Sequence, residues 1–244
     1  MKALALIALA ASAVLLAACA TTDSAPLSGS QLAVAGDIPI NLMPMYGSPG
    51  VVKSEAQKKG DELFIETATK SSGSRELAAK QFAGEGWRQY QRGDLDNAMR
   101  RFNQAWLLDP KSFLPYWGFG AILMKLAKPE EAIPHYERSL SLIDIATEKP
   151  RLLNDSAKAY SFAASRGGPD AAAWRAKAET LFQQAVQLDP KYSNAYRDWI
   201  AFNLSQKEYP KAWEVVKRAR EAGVQDLPQE LINALTEKMP EPRQ

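Results

Sequence analysis

Residues 82–102 read FAGEGWRQYQRGDLDNAMRRF, and residues 116–136 read YWGFGAILMKLAKPEEAIPHY. Set 34 residues apart, Phe82, Gly84, Gly86, Ala98 and Phe102 fall on Tyr116, Gly118, Gly120, Ala132 and Tyr136. A constant period of that length is what stacked helical hairpins leave in a sequence. The pattern returns at an offset of 80 as Ala178, Phe182, Ala185 and the run Leu188, Asp189, Pro190, Lys191, which repeats Leu108, Asp109, Pro110, Lys111. Eighty exceeds two periods by twelve, so the third copy carries an insertion of that size.

Local signals place the helices. Ser74 predicts the cap of a helix reaching about Arg92, and Gly93 with Asp94 predicts the turn. A second helix then runs from Asp94 to Leu108, with Ala98, Phe102 and Ala105 on one face. The next unit begins after Ser112 and turns at Lys128 and Pro129. Pro129 suits a first helical position, whereas Pro134 lies inside the helix, where proline costs about 3 kcal/mol or a kink, and predicts a distorted first turn. Gly167, Gly168 and Pro169 interrupt the third unit, which sets its first helix from Pro150 to Arg166 and makes its hairpin longer than its neighbours. Leu227 to Lys238 reads as a closing helix, and Lys53 to Lys70 as an N-terminal capping helix weakened by Gly60.

These residues resemble the tetratricopeptide repeat (TPR). Counted from residue 79, Phe82, Gly86, Ala98, Phe102, Ala105 and Pro110 stand at the family's fourth, eighth, twentieth, twenty-fourth, twenty-seventh and thirty-second positions, while Glu85 and Gln89 depart from it. Counted from 113, Tyr116, Phe119, Gly120, Leu123, Ala132 and Tyr136 match, while Ser139 and Asp144 depart. Leu153, Ala157 and Tyr160 carry the third copy, and Tyr196, Trp199, Ile200, Ala212, Val216 and Ala219 the fourth. The resemblance implies an all-α, right-handed solenoid of about four hairpin units, 79–112, 113–146, 150–192 and 193–226. An N-terminal capping segment (51–78) would precede them, and a C-terminal capping helix and tail (227–244) would follow.

The family lines its groove with the first helix of each hairpin. Its ligand-facing positions give, on this chain, Trp87, Tyr90, Trp117, Met124, Arg151, Asn154, Lys158, Asn194 and Arg197 as candidates. A groove aromatic at one end and basic at the other suits an extended peptide, with apolar residues on Trp87 and Trp117 and an acidic part on Arg151, Lys158 and Arg197. The competing reading has the tryptophans packed on the cap or tether and the cations merely solvated. Ala83 and Trp87 stand where one TPR subgroup keeps a lysine and an asparagine for a C-terminal carboxylate, so that mode of binding is not expected.

At the other end, Met1 and Lys2 precede an apolar stretch from Ala3 to Ala18, followed by the only cysteine, Cys19. That is the pattern of a secretory signal too short to span a bilayer. Leu16, Ala17, Ala18 and Cys19 resemble the lipobox of bacterial lipoproteins. The resemblance implies cleavage of residues 1–18, acyl chains on Cys19, and stable membrane anchoring through more than one chain. Ala20, standing where an aspartate favours inner-membrane retention, points to the outer membrane with the module facing the periplasm. Residues 19–50, rich in proline, glycine and serine, read as a lipidated tether. Within them Ile38, Ile40, Leu42, Met43, Met45 and Tyr46 are denser in apolar groups than a tether needs, and either pack back on the module or bind a partner.

The charge balance, 30 basic against 28 acidic side chains, argues against nucleic acid as a partner. His135 is the only histidine, and Cys19 is assigned to lipid, so no nucleophilic pair or zinc spacing is available. Glu130, Glu131, Asp94 and Asp96 sit at helix starts, where carboxylates favour the dipole. The expectation is a lipid-anchored periplasmic adaptor for a protein or peptide, with no enzymatic activity, cofactor or metal. The alternative is a saccharide or peptidoglycan binder, in which Trp87 and Trp117 stack on rings and Asn154 contacts hydroxyls.

Overall fold

The computed structural model describes residues 38–242. The stretch read above as a signal peptide, Cys19, and the first part of the stretch read as a tether lie outside those residues. Among the described residues there are ten α-helices and no strand. They are α1 (Glu55–Ser72), α2 (Arg75–Gln91), α3 (Leu95–Leu108), α4 (Phe113–Lys125), α5 (Pro129–Leu142), α6 (Lys149–Ser165), α7 (Ala171–Leu188), α8 (Ser193–Ser205), α9 (Tyr209–Glu221) and α10 (Gln229–Lys238). Helices pair as α2/α3, α4/α5, α6/α7 and α8/α9. The first helix of each pair also touches the first helix of the next. Helix α1 packs on α2, and α10 on α8 and α9.

Caps and turns fix these boundaries. Ser74 Oγ accepts the Leu77 N–H at 3.1 Å, and Asp94 accepts that of Asn97 at 3.1 Å. Each short turn inside a pair is built alike. The N–H of Asp94 reaches Gln89 O at 3.0 Å, that of Lys128 reaches Leu123 O at 2.9 Å, and that of Glu208 reaches Asn203 O at 2.9 Å. This closure needs a left-handed residue just before it. Gly93 supplies it at φ 79°, while Ala127 (57°) and Lys207 (61°) adopt it against their intrinsic preference. Between pairs, the repeated Leu-Asp-Pro-Lys run forms one turn twice, with Asp109 Oδ1 accepting from Lys111 N and Asp189 Oδ1 from Lys191 N, both at 3.0 Å.

Helix α5 runs on through Pro134, and α1 runs on through Gly60. Pro134 is exposed near the start of α5, so it withholds a partner only from a carbonyl that water can reach; Gly60 is held in a helix capped by reciprocal bonds between Ser54 and Gln57. Ser139, a departure from the alanine of the repeat, is buried and donates to Phe113 O at 2.9 Å. The third pair is the long one: α7 has 18 residues against 14 in α3 and α5.

The first two pairs meet on Phe102, which is fully buried. A Cβ on Gly86 of α2 would stand 2.8 Å from its ring, and one on Gly118 of α4 nearer still. Gly84, one period before Gly118, would place a Cβ only in ordinary contact with the far end of Arg88 at 3.8 Å, because no ring precedes it there. Gly118→Ala should therefore destabilise by about 1–3 kcal/mol through overpacking, while Gly84→Ala should be neutral or stabilise by up to about 1 kcal/mol. Urea midpoints of the two variants test this, and equal shifts would contradict the packing.

His135 lies against the Phe119 ring, centroids 5.5 Å apart, and burial, opposed by Glu131, pushes its pKa down to about 4. A histidine depressed in the folded state leaves stability intact above the unfolded value near 6.5 and removes it as pH falls towards 4. We expect a loss on the order of 2 kcal/mol across that window, largely absent in His135→Leu, as read by denaturant titration at each pH.

Candidate functional site

A cleft of about 260 Å³ opens where α2, α4 and α6 come together. Trp87, Tyr90 and Gln91 of α2, Trp117, Ala121 and Met124 of α4, Tyr136 of α5, and Arg151, Asp155 and Lys158 of α6 line it. Six of the nine candidates thus share one cavity, whereas Asn154, Asn194 and Arg197 do not line it. The six converge because the first helices of successive pairs pack side by side, so residues at one register in each face a common space.

The aromatic end is continuous with the core. Trp87 is half-buried and meets Phe102 at 5.2 Å, Tyr90 at 5.6 Å and Trp117 at 5.7 Å, all edge to face. Trp117 is only 4 % exposed, and its Nε1 donates to Asp155 Oδ2 at 2.9 Å. Trp117 is therefore a cleft wall rather than an open platform. Its large side chain is closed in by Trp87, by Phe113 at 6.4 Å and by the Arg151 guanidinium, 5.4 Å above the ring.

The basic end is charge-paired, contrary to the expectation of free cations. Arg151 pairs with Glu148 at 3.2 Å, Lys158 with Asp155 at 3.2 Å, and Arg197 with Asp198 at 2.9 Å. Asn154, expected at the groove surface, is 2 % exposed and donates to Asp198 Oδ2 at 2.8 Å. Burial pulls the Lys158 ammonium down, but Asp155 and Asp198 outweigh it and hold its pKa above the ordinary lysine value. While its carboxylate partners are ionised, Lys158 thus stabilises the fold below the pKa of a free lysine, and the contribution is lost as pH rises through its raised pKa. Burial raises the Tyr90, Tyr136 and Tyr192 phenols, and Asp155 adds to each.

Asp155 organises this end and was missed, as was Tyr136. Asp155 and Asp198 hold the register at which the first two copies have Gly84 and Gly118. That change from glycine to aspartate, with Lys158 one turn after the first of them, was the available signal. Tyr136 matched a core position of the repeat and was read as core alone, yet it both contacts Gly120 and lines the cleft.

No protein-family model matches the chain, and no curated protein matches it by sequence. No helix among the described residues is long and apolar enough to cross a membrane.

If Trp117 is a wall, Trp117→Ala should cost about 3–5 kcal/mol, whereas Tyr90→Ala at the half-buried rim should cost about 1 kcal/mol. Thermal and urea denaturation of both variants check the ranking, and a near-neutral Trp117→Ala would return that side chain to the surface.

Proposed function

We propose that the chain is a lipid-anchored TPR adaptor of the bacterial periplasm, held at the outer membrane by Cys19. In this reading the helix pairs form a right-handed TPR solenoid that binds a protein or peptide in the cleft between α2, α4 and α6. The carrying observation is that Trp87, Tyr90, Trp117, Met124, Arg151 and Lys158, separated by up to 71 positions in sequence, line one cavity. A cavity of about 260 Å³ takes one or two side chains of an extended peptide, gripped by apolar walls with a few polar groups at the base. The recurring turns at Gly93, Ala127 and Lys207 support the repeat assignment. The saccharide reading is the weaker one, because Asn154 is buried against Asp198 and Trp117 presents no open face for a sugar ring. The lone histidine is half-buried against Phe119 and lies outside the cleft lining, which supports a binding role over catalysis.

A photocrosslinking side chain in place of Met124, in full-length protein in its native envelope, tests the reading. We expect a discrete protein adduct that Tyr90→Ala removes and that Cys19→Ser, by abolishing palmitate labelling and leaving a retained, uncleaved precursor, also depletes. An adduct that sediments with purified peptidoglycan would favour the saccharide reading. Adducts indifferent to Tyr90→Ala, or palmitate retained on Cys19→Ser protein, would overturn the cleft or the anchor respectively.

A further inference from the structure

Asn103 of α3 is fully buried, yet its side chain bonds to no other α-helix. Its Nδ2 donates to the main-chain oxygens of Asn41 at 3.0 Å and Met43 at 2.8 Å, and its Oδ1 accepts the Tyr46 N–H at 3.2 Å. All three partners are backbone, so the amide reads the path of the segment and not its side chains. Met45 packs into the cluster around Phe102 and Met99. Lys53 lies 3.8 Å over the Tyr46 ring and pairs with Asp61 of α1. Met45, Tyr46 and Gly47 are consecutively left-handed, at φ 53°, 54° and 75°. Non-glycine residues avoid that region, so the docked contacts impose this conformation.

The arrangement is particular to α3. One period later stands Glu137, whose carboxylate accepts from the Tyr160 hydroxyl at 2.5 Å. In the docked state all three polar contacts of this buried amide are to the segment's main chain, so burial here costs no unsatisfied group.

We propose that the face of α3 carrying Asn103 is a main-chain-binding site whose resident ligand is residues 38–48 of the same chain, and that it fastens the N-terminal segment to the module. The consequence for reach rests on the lipid-anchor reading. With the segment docked, the 19 residues from Cys19 to Ile38 span at most about 65 Å; released to Lys53, 34 residues span up to about 115 Å. Docking therefore sets how far from the bilayer the cleft can work.

The test is hydrogen exchange by mass spectrometry on the full-length protein, with two variants that attack the contact from opposite sides. Asn103→Leu removes all three bonds. Gly47→Ala leaves α3 intact but places a Cβ 2.6 Å from Val51 in a left-handed position. In both, exchange across residues 40–47 should accelerate about 100-fold while α2 to α5 keep their protection. Free exchange of that segment in the parent, or full protection in both variants, would overturn the site. Protection lost on dilution would place the segment on a second copy and overturn the assignment within one chain. Reach is read separately, by energy transfer from a dye at Glu237→Cys to labelled lipid in vesicles carrying the lipidated protein. Gly47→Ala should lower the transfer, and unchanged transfer with a released segment would overturn the reach argument. Flotation of the parent with the vesicles reports the anchor alone, so its failure would leave the exchange result standing.

Discussion

The Phe102 ring, held where two glycines leave room for it, is the contact on which the first two helix pairs depend. Gly86 and Gly118 let α2 and α4 approach the same ring from different sides, and Trp87 and Phe119 complete its surroundings edge to face. A fully buried phenylalanine contributes roughly 1.5–3 kcal/mol by transfer alone, and truncation would add the cavity term. The device recurs once, where Tyr136 of α5 sits against Gly120. It then stops, because the third and fourth copies have Asp155, Ala157, Asp198 and Ile200 at the corresponding registers. There the first helices are joined by hydrogen bonds, Trp117 to Asp155 and Asn154 to Asp198. The chain therefore uses two kinds of joint, aromatic on glycine and then amide or indole on carboxylate.

Much of this was legible in the sequence because it is encoded locally. Ser74, Asp94 and the Leu-Asp-Pro-Lys run each bond within a few residues of themselves, so the residue type names the structure. The 34-residue period carried the glycine-on-ring contacts with it, since the two partners lie in one repeat unit or in adjacent ones. Composition was only partly informative for residues 38–50. Their prolines and glycines read as a tether, whereas a single asparagine about 60 positions away binds their backbone. The apolar cluster from Ile38 to Tyr46 allowed packing back on the module, but nothing within the segment names its partner, and Asn103 shows only as one polar residue on the second helix of its pair.

The cleft illustrates a different limit. A repeat pattern assigns each register either to the core or to the groove, but Trp117 and Tyr136 serve both. Each is nearly inaccessible, at 4 % and 2 %, and each lines the cavity. That doubling follows from where the cleft lies, at the change from one kind of joint to the other. Trp87 touches Phe102 behind it and Trp117 ahead, while Trp117 touches Asp155. The wall of the site is thus the seam of the fold, and its exposure could not be inferred from register alone.

The charges at that seam bear on what the site can bind. Around it Arg151, Lys158 and Arg197 are matched by Glu148, Asp155 and Asp198, so the local balance is close to neutral. An acidic ligand would have to compete with carboxylates already in place. Exposed pairs such as Arg151 with Glu148 are individually worth about 0–1 kcal/mol and exchange easily. Lys158 with Asp155 and Asp198 is set deeper, and removing a partner from such a pair leaves a charge uncompensated. Lys158, bridging Asp155 within α6 and Asp198 of α8, is therefore better placed to link the two helices than to capture an anion. Affinity would come mainly from the apolar walls of Trp87, Tyr90, Trp117 and Met124, with Arg151 at the rim as the cation freest to change partners. On the proposed reading, binding at the cleft would therefore be a matter of shape and apolar fit, only weakly sensitive to salt.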